Sequence, residues 1–170
     1  MQTALFIMNA QNSFFSPSGS VYMGDKAEIL RIRLEDYLSG INGLKVFFRE
    51  KHAVEDDFFI SDKTHSIVNT EDFHIIESLR KYSSIIFDKT RYSAFYNTGL
   101  DVFLKKEHVE KVIMAGIETH TSILFTAEEL RNRGYEVTVI EPCTMSRDNF
   151  LADFAISLMK NCLSVSITNG

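Results

Sequence analysis

What this chain has little of narrows its function before any motif is considered. Cysteine is scarce: Cys143 and Cys162 are the only two, at no metal-type spacing. Neither a disulfide framework nor a cysteine metal cluster is expected, and two free thiols suit a reducing cytosol. No run of lysine or arginine occurs. A formal net charge of −5 and a pI near 5.5 argue against a polyanion-binding surface, so nucleic acid is not an expected partner. No stretch approaches the roughly 18 consecutive apolar residues of a membrane helix. The opening MQTALFIMNAQNSFF has neither the basic leader nor the long apolar core of a signal peptide. A cytoplasmic protein without membrane attachment is expected. G-x-G-x-x-G and the P-loop pattern are missing, and with them any sign of a nucleotide cofactor.

What is present is the balance of a soluble globular protein, 45% hydrophobic and 24% charged over 170 residues, enough for one domain spanning 1–170. Apolar runs rich in Val, Ile and Phe predict strands at 4–10, 44–50, 83–89, 111–117, 136–142 and 163–169. They are nearly unbroken rather than alternating, as in parallel strands covered on both faces. Helical periodicity predicts helices at 25–39, 72–81, 100–107, 121–133 and 147–161. Asp25 suits an N-cap, and Gly40 and Gly134 suit C-terminal stops. Strands alternating with helices imply an α/β fold: a doubly wound, six-stranded parallel sheet with right-handed crossovers and helices on both faces. The irregular stretches 11–24 and 51–71 follow strands, which puts them at the carboxyl edge, where such folds bind ligands.

Three strand ends bring chemistry to that edge: Asn9 and Gln11 after the first, Lys89 at the third, and Ser122 in the turn after the fourth. Taken singly, an Asn there is a turn former, a Lys is solvated, and a Ser in a first helical turn satisfies backbone amides. Their ordered pattern says more. FIMNAQNSFF (Asn9, Gln11, Phe14), KTRYSAF (Lys89, Ala94, Phe95) and GIETHTSILFTA (Gly116, Thr119, Ser122, Thr126, Ala127) resemble, in order, the D-x-Q-x-D-F, K-x-x-x-S/D-A-F and G-x-x-T-x-x-C motifs of the isochorismatase-like hydrolases. That superfamily includes nicotinamidases, carbamoylsarcosine amidohydrolases and isochorismatases, and the resemblance runs over essentially the whole chain.

The resemblance implies a hydrolase of small amides or vinyl ethers. It also implies a non-proline cis peptide at Ile117–Glu118, with the Glu118 and Ser122 backbone amides facing a carbonyl oxygen. Gln11, Phe14, Tyr92, Phe95 and Thr119 would line a small-molecule pocket, with Phe58 and Phe59 at its wall or in a subunit contact. Assembly as a homodimer or larger is usual in the family. The departures bear on activity: the aspartate position holds Asn9 and the cysteine position Ser122, while Lys89 stays. An amide is no general base near neutral pH, and a hydroxyl needs such a base more than a thiol does. Nor can an amide protonate a vinyl ether. Weak or absent turnover is therefore expected, with a silenced, ligand-binding or assembly protein as the alternative; the near-isosteric changes are also ones an experimenter would choose to trap a substrate. Lys89, facing no carboxylate, is expected to favour an anionic ligand.

Nicotinamidases in the family hold a metal with D-x-H and a later histidine. Here Glu50, His52 and His65 fall in that order, a legitimate set for zinc or iron. Histidines beside an acidic loop are also common without a metal, so no cofactor is required by the sequence. His74, His108 and His120 have no partner pattern. Cys143 follows the fifth strand but lies where the family tolerates small residues, and it is expected to be an ordinary partly buried thiol.

Overall fold

The computed structural model describes residues 2–56 and 63–170. Six strands form one sheet: β1 (Gln2–Met8), β2 (Leu44–Glu50), β3 (Ile85–Lys89), β4 (Val109–Ile117), β5 (Glu136–Met145) and β6 (Ser166–Thr168). The helices are α1 (Asn12–Phe15), α2 (Asp25–Gly40), α3 (Glu77–Arg80), α4 (Leu100–Lys106), α5 (Leu124–Asn132) and α6 (Asn149–Cys162). Spatial order in the sheet is β3-β2-β1-β4-β5-β6, with every neighbouring pair parallel. The chain reverses its direction of travel between β1 and β4. The expected α/β class and parallel sheet are therefore present. None of the helices among the described residues is long and apolar enough to cross a membrane.

Alternation of side chains divides the core in two. Ala4, Phe6 and Met8 of β1, with Val46 and Phe48 of β2, pack against Leu100 and Leu104 of α4, Ala127 and Leu130 of α5, and Met159 of α6. Leu5, Ile7 and Phe47 face the other way, onto Leu30, Leu34 and Leu38 of α2 and Leu79 of α3. These three α2 leucines are spaced four apart and essentially inaccessible. Each stabilises the fold by about 1.5–3 kcal/mol relative to an exposed leucine.

Besides shifts of a few residues at element ends, three features differ from expectation for local reasons. The 72–81 segment splits into a 3₁₀ turn at Glu71–Phe73 and the short α3. Between them the backbone is drawn out against the residues after β1: Asn12 N–H donates to the His74 carbonyl and Ile76 N–H to that of Ala10. Helix α2 starts at Asp25 behind a Gly24 cap, without the expected side-chain cap, and includes Gly40. In α6 the apolar pattern covers more than the buried stripe: Ala155 and Met159 are buried, whereas Phe150, Leu151 and Phe154 are exposed.

Candidate active site

Four strand ends deliver the side chains of one buried cluster. Strand β1 stops where Asn9 takes φ 51°, a left-handed conformation that Asn tolerates better than most residues. Glu50 and Lys89 are the last residues of β2 and β3 and pair directly in register. Two residues earlier on the same face, Phe48 and Phe87 stack with centroids 5.8 Å apart, so the ion pair sits on an aromatic floor. After β4 comes the cis peptide Ile117–Glu118, then a π-type turn at Thr119–Ile123 that leads into α5. Ser122 lies in that turn, fully buried.

Glu50 Oε1 is the hub. It accepts from Asn9 Nδ2 at 2.9 Å, Lys89 Nζ at 3.0 Å and the Ser122 hydroxyl at 3.3 Å. Ser122 Oγ in turn accepts from Asn9 Nδ2 at 2.9 Å and Lys89 Nζ at 3.1 Å. The third Lys89 proton goes to the Arg91 carbonyl at 3.1 Å. Nitrogen, not oxygen, of the Asn9 amide must face Glu50, since two acceptors would repel. That orientation leaves Asn9 Oδ1 buried without a hydrogen-bond partner among the described residues. Burial alone would raise the Glu50 carboxyl, but the Lys89 ammonium and contacts from His52 and His65 hold it well below the usual range. Burial pushes Lys89 down, against the pull of Glu50.

This corrects the expectation for Lys89. Far from being an uncompensated cation, it is paired with a carboxylate and uses all three of its protons, so an anion-seeking pocket loses its basis. A carboxylate does reach this cluster, from Glu50 on the neighbouring strand β2.

The other Glu50 oxygen belongs to a second group. His65 Nε2 lies 2.7 Å from Oε2 and His52 Nε2 3.8 Å from it. Potential donor atoms of Glu50, His52 and His65, all buried, fall within 4.8 Å of one another. His65 Nδ1 lies 2.7 Å from the Lys63 carbonyl, a contact only an N–H makes. Such a bond is what orients a metal-binding imidazole so that Nε2 faces the ion. The chemistry of the set therefore fits a divalent ion of the zinc or iron kind. The acidic loop also reaches this corner, through Asp56 Oδ2 at 3.3 Å from His52 Nδ1.

The remaining expected residues separate into two groups. Gln11 is a stitch rather than a lining residue: its Nε2 donates to the Glu50 and Phe73 carbonyls and its Oε1 accepts from Glu50 N–H at 2.7 Å. Phe14 is buried with its ring edge-on to His65. Phe95 packs into the α4–α5 core under the Arg133 guanidinium. Tyr92 stacks on Phe125. Thr119 is buried in the turn and borders a separate cavity of about 420 Å³, together with Met145, Ser146 and Asn149. The Glu118 carboxylate is gripped by Arg147, Nε to Oε1 and Nη2 to Oε2, both 2.9 Å. Cys143 donates to the Arg33 carbonyl, and burial pushes its thiol up, as suits an ordinary buried cysteine. Phe58 and Phe59 lie outside the described residues.

Sequence reasoning placed Glu50 only in the metal corner and did not single out Arg147 or the contact between His120 Nδ1 and Ser146 Oγ at 2.9 Å. A signal for Glu50 existed: Asn stands where the resemblance puts Asp, and Glu stands where it puts the metal-side Asp.

The fold and this cluster define the class: a doubly wound parallel α/β domain with a buried carboxylate, ammonium and hydroxyl at the carboxyl edge of its sheet. The sequence profile of the Isochorismatase domain matches residues 3–169, and the chain belongs to that family of hydrolases. An uncharacterized isochorismatase family protein of Bacillus subtilis (strain 168), PncA, is 22% identical over 181 residues, covering 98% of this chain and 99% of that one. The match to YaaI of the same organism is 35% over 80 residues, 47% of this chain and 44% of YaaI; there the chain spans less than half of its relative. Among solved structures, a nicotinamidase/pyrazinamidase PncA from Bacillus subtilis superposes with a TM-score of 0.89 at 23% identity, covering 99% of this chain and 100% of that one. A pyrazinamidase of Pyrococcus horikoshii in complex with zinc gives 0.88 at 22%, over 100% of both chains. At these identities the structural likeness shows the fold.

Proposed function

We propose that this chain is a slow hydrolase of small amides, with Ser122 as nucleophile and Glu50 as the group that takes its proton. One observation carries the reading: the Ser122 hydroxyl, the Lys89 ammonium and the Asn9 amide all converge on Glu50 Oε1. A silenced site would follow from a missing carboxylate, and a carboxylate is there. In the proposed sequence the hydroxyl proton passes to Glu50 as Oγ bonds to the amide carbon. The C–N bond then breaks and the amine leaves with that proton. Water, deprotonated by the same carboxylate, releases the acid and restores Ser122. The backbone amides of Glu118 and Ser122 would stabilise the oxyanion. Lys89 and Asn9 hold the carboxylate in place throughout.

The rate is set by two handicaps. A carboxylate held well below its usual range is a weak base, and a hydroxyl is a poorer nucleophile than a thiolate. The same low value disfavours the vinyl-ether branch, because an ionised Glu50 has no proton to give. Asn9 Oδ1, the acceptor left over, suits a ligand that brings an N–H group, as an amide does. The relatives named as nicotinamidases and pyrazinamidases support small aromatic amides as the first substrates to try. Glu50, His52 and His65 would hold a divalent ion, which supplies Lewis-acid polarisation when bound; the proton transfer from Ser122 is assigned to the chain's own residues.

A second reading has its own observation: Ser122 Oγ accepts two hydrogen bonds and donates one. A hydroxyl so occupied suits a binding protein. Ammonia release from nicotinamide, pyrazinamide and a small-amide panel separates the two. The hydrolase reading expects slow turnover that Ser122→Ala abolishes, Glu50→Gln lowers by roughly 10²–10⁴, and Asn9→Asp with Ser122→Cys raises. Turnover indifferent to Ser122→Ala would refute it, and binding without turnover would establish the second.

A further inference from the structure

We infer that Glu50 makes the metal corner and the nucleophile cluster antagonistic, because a single carboxylate serves both. Its Oε1 carries Asn9, Lys89 and Ser122 within 3.3 Å. Its Oε2 faces His65 at 2.7 Å and His52 at 3.8 Å. The residue is buried, so little solvent screens one side from the other.

A divalent ion held by Oε2, His52 and His65 would place two positive charges across one carboxylate from the Lys89 ammonium. The ion draws charge toward Oε2, and Oε1 becomes a poorer acceptor for Lys89 and for the Ser122 proton. Conversely, Lys89 and Asn9 draw charge toward Oε1 and weaken Oε2 as a ligand. By linkage, whatever free energy the ion takes from the contact between Glu50 and Lys89 is returned as weaker binding of the ion. The chain therefore binds a divalent ion less tightly than its three ligands alone would allow.

Zinc titration by calorimetry at constant pH tests the antagonism without any substrate. Lys89→Met should bind zinc more tightly than the unmodified chain, by roughly tenfold, within the usual 5–150-fold range for coupling between sites. Asn9→Ala should shift affinity the same way by less, and His65→Ala should remove binding. Equal or weaker zinc affinity in a folded Lys89→Met, judged by circular dichroism, would overturn the inference. Should that variant not fold, equal or weaker affinity in Asn9→Ala would overturn it instead. Zinc binding by neither the unmodified chain nor these variants would overturn it too. Absence of amide turnover alone would sink the hydrolase reading, while the antagonism would still stand or fall on these zinc affinities.

Discussion

Glu50 is one methylene longer than the aspartate that the family resemblance puts at its place, and the extra reach brings its carboxylate to Asn9, Lys89 and Ser122 while its second oxygen stays with His65. Because its carboxyl is held low in the fold, the unfolded chain takes up the proton first. Stability is then fully present above the ordinary value of 4.5 and is lost as pH falls from there toward the lowered native value. Urea titrations between pH 7 and pH 3 should show that loss, and Glu50→Gln should flatten it. The variant should also start about 3–5 kcal/mol less stable, since Lys89 stays buried without its partner. A pH slope unchanged in Glu50→Gln would mean that other carboxylates govern acid unfolding. Asn9, Lys89 and Ser122 were legible as ordered motifs. The role of Glu50 was not, because it depends on a side chain reaching across two strands rather than on any spacing along the chain.

The site stands where β1 and β4 run side by side, and Gly116 is what permits that approach next to the nucleophile turn. It sits at φ 108°, and a Cβ there would lie 2.2 Å from the Met8 carbonyl oxygen and 2.6 Å from the Met8 nitrogen. Gly116→Ala should therefore cost roughly 2–4 kcal/mol, visible as a lower urea midpoint, and should shift Asn9 relative to Ser122. A midpoint within error of the parent would show that the strands give way easily. Strands and long helices were legible from their apolar runs. The break within 72–81 was not: its periodicity suits a helix, and only the backbone of residues 10–12 offers a better use for those amides and carbonyls.

At the scale of the whole molecule, large apolar side chains face outward at several places among the described residues, and α6 carries three of them, Phe150, Leu151 and Phe154, the two phenylalanines 75% and 58% exposed. Assembly with further copies of this chain, proposed from the family resemblance, would give them cover. Sedimentation should find a dimer or larger species, reduced to monomer by Phe150→Asp with Phe154→Asp; a monomeric parent would end that proposal. The sequence by itself determined the α/β class, the parallel sheet and three of the four side chains of the cluster, because hydrophobic runs and motif order are local properties. Tertiary structure alone decided that the cluster has its carboxylate and that Lys89 is neutralised. Those facts follow from the pairing of Glu50 with Lys89 across β2 and β3, and electrostatic partnership is fixed by distance through space, which no position along the chain records.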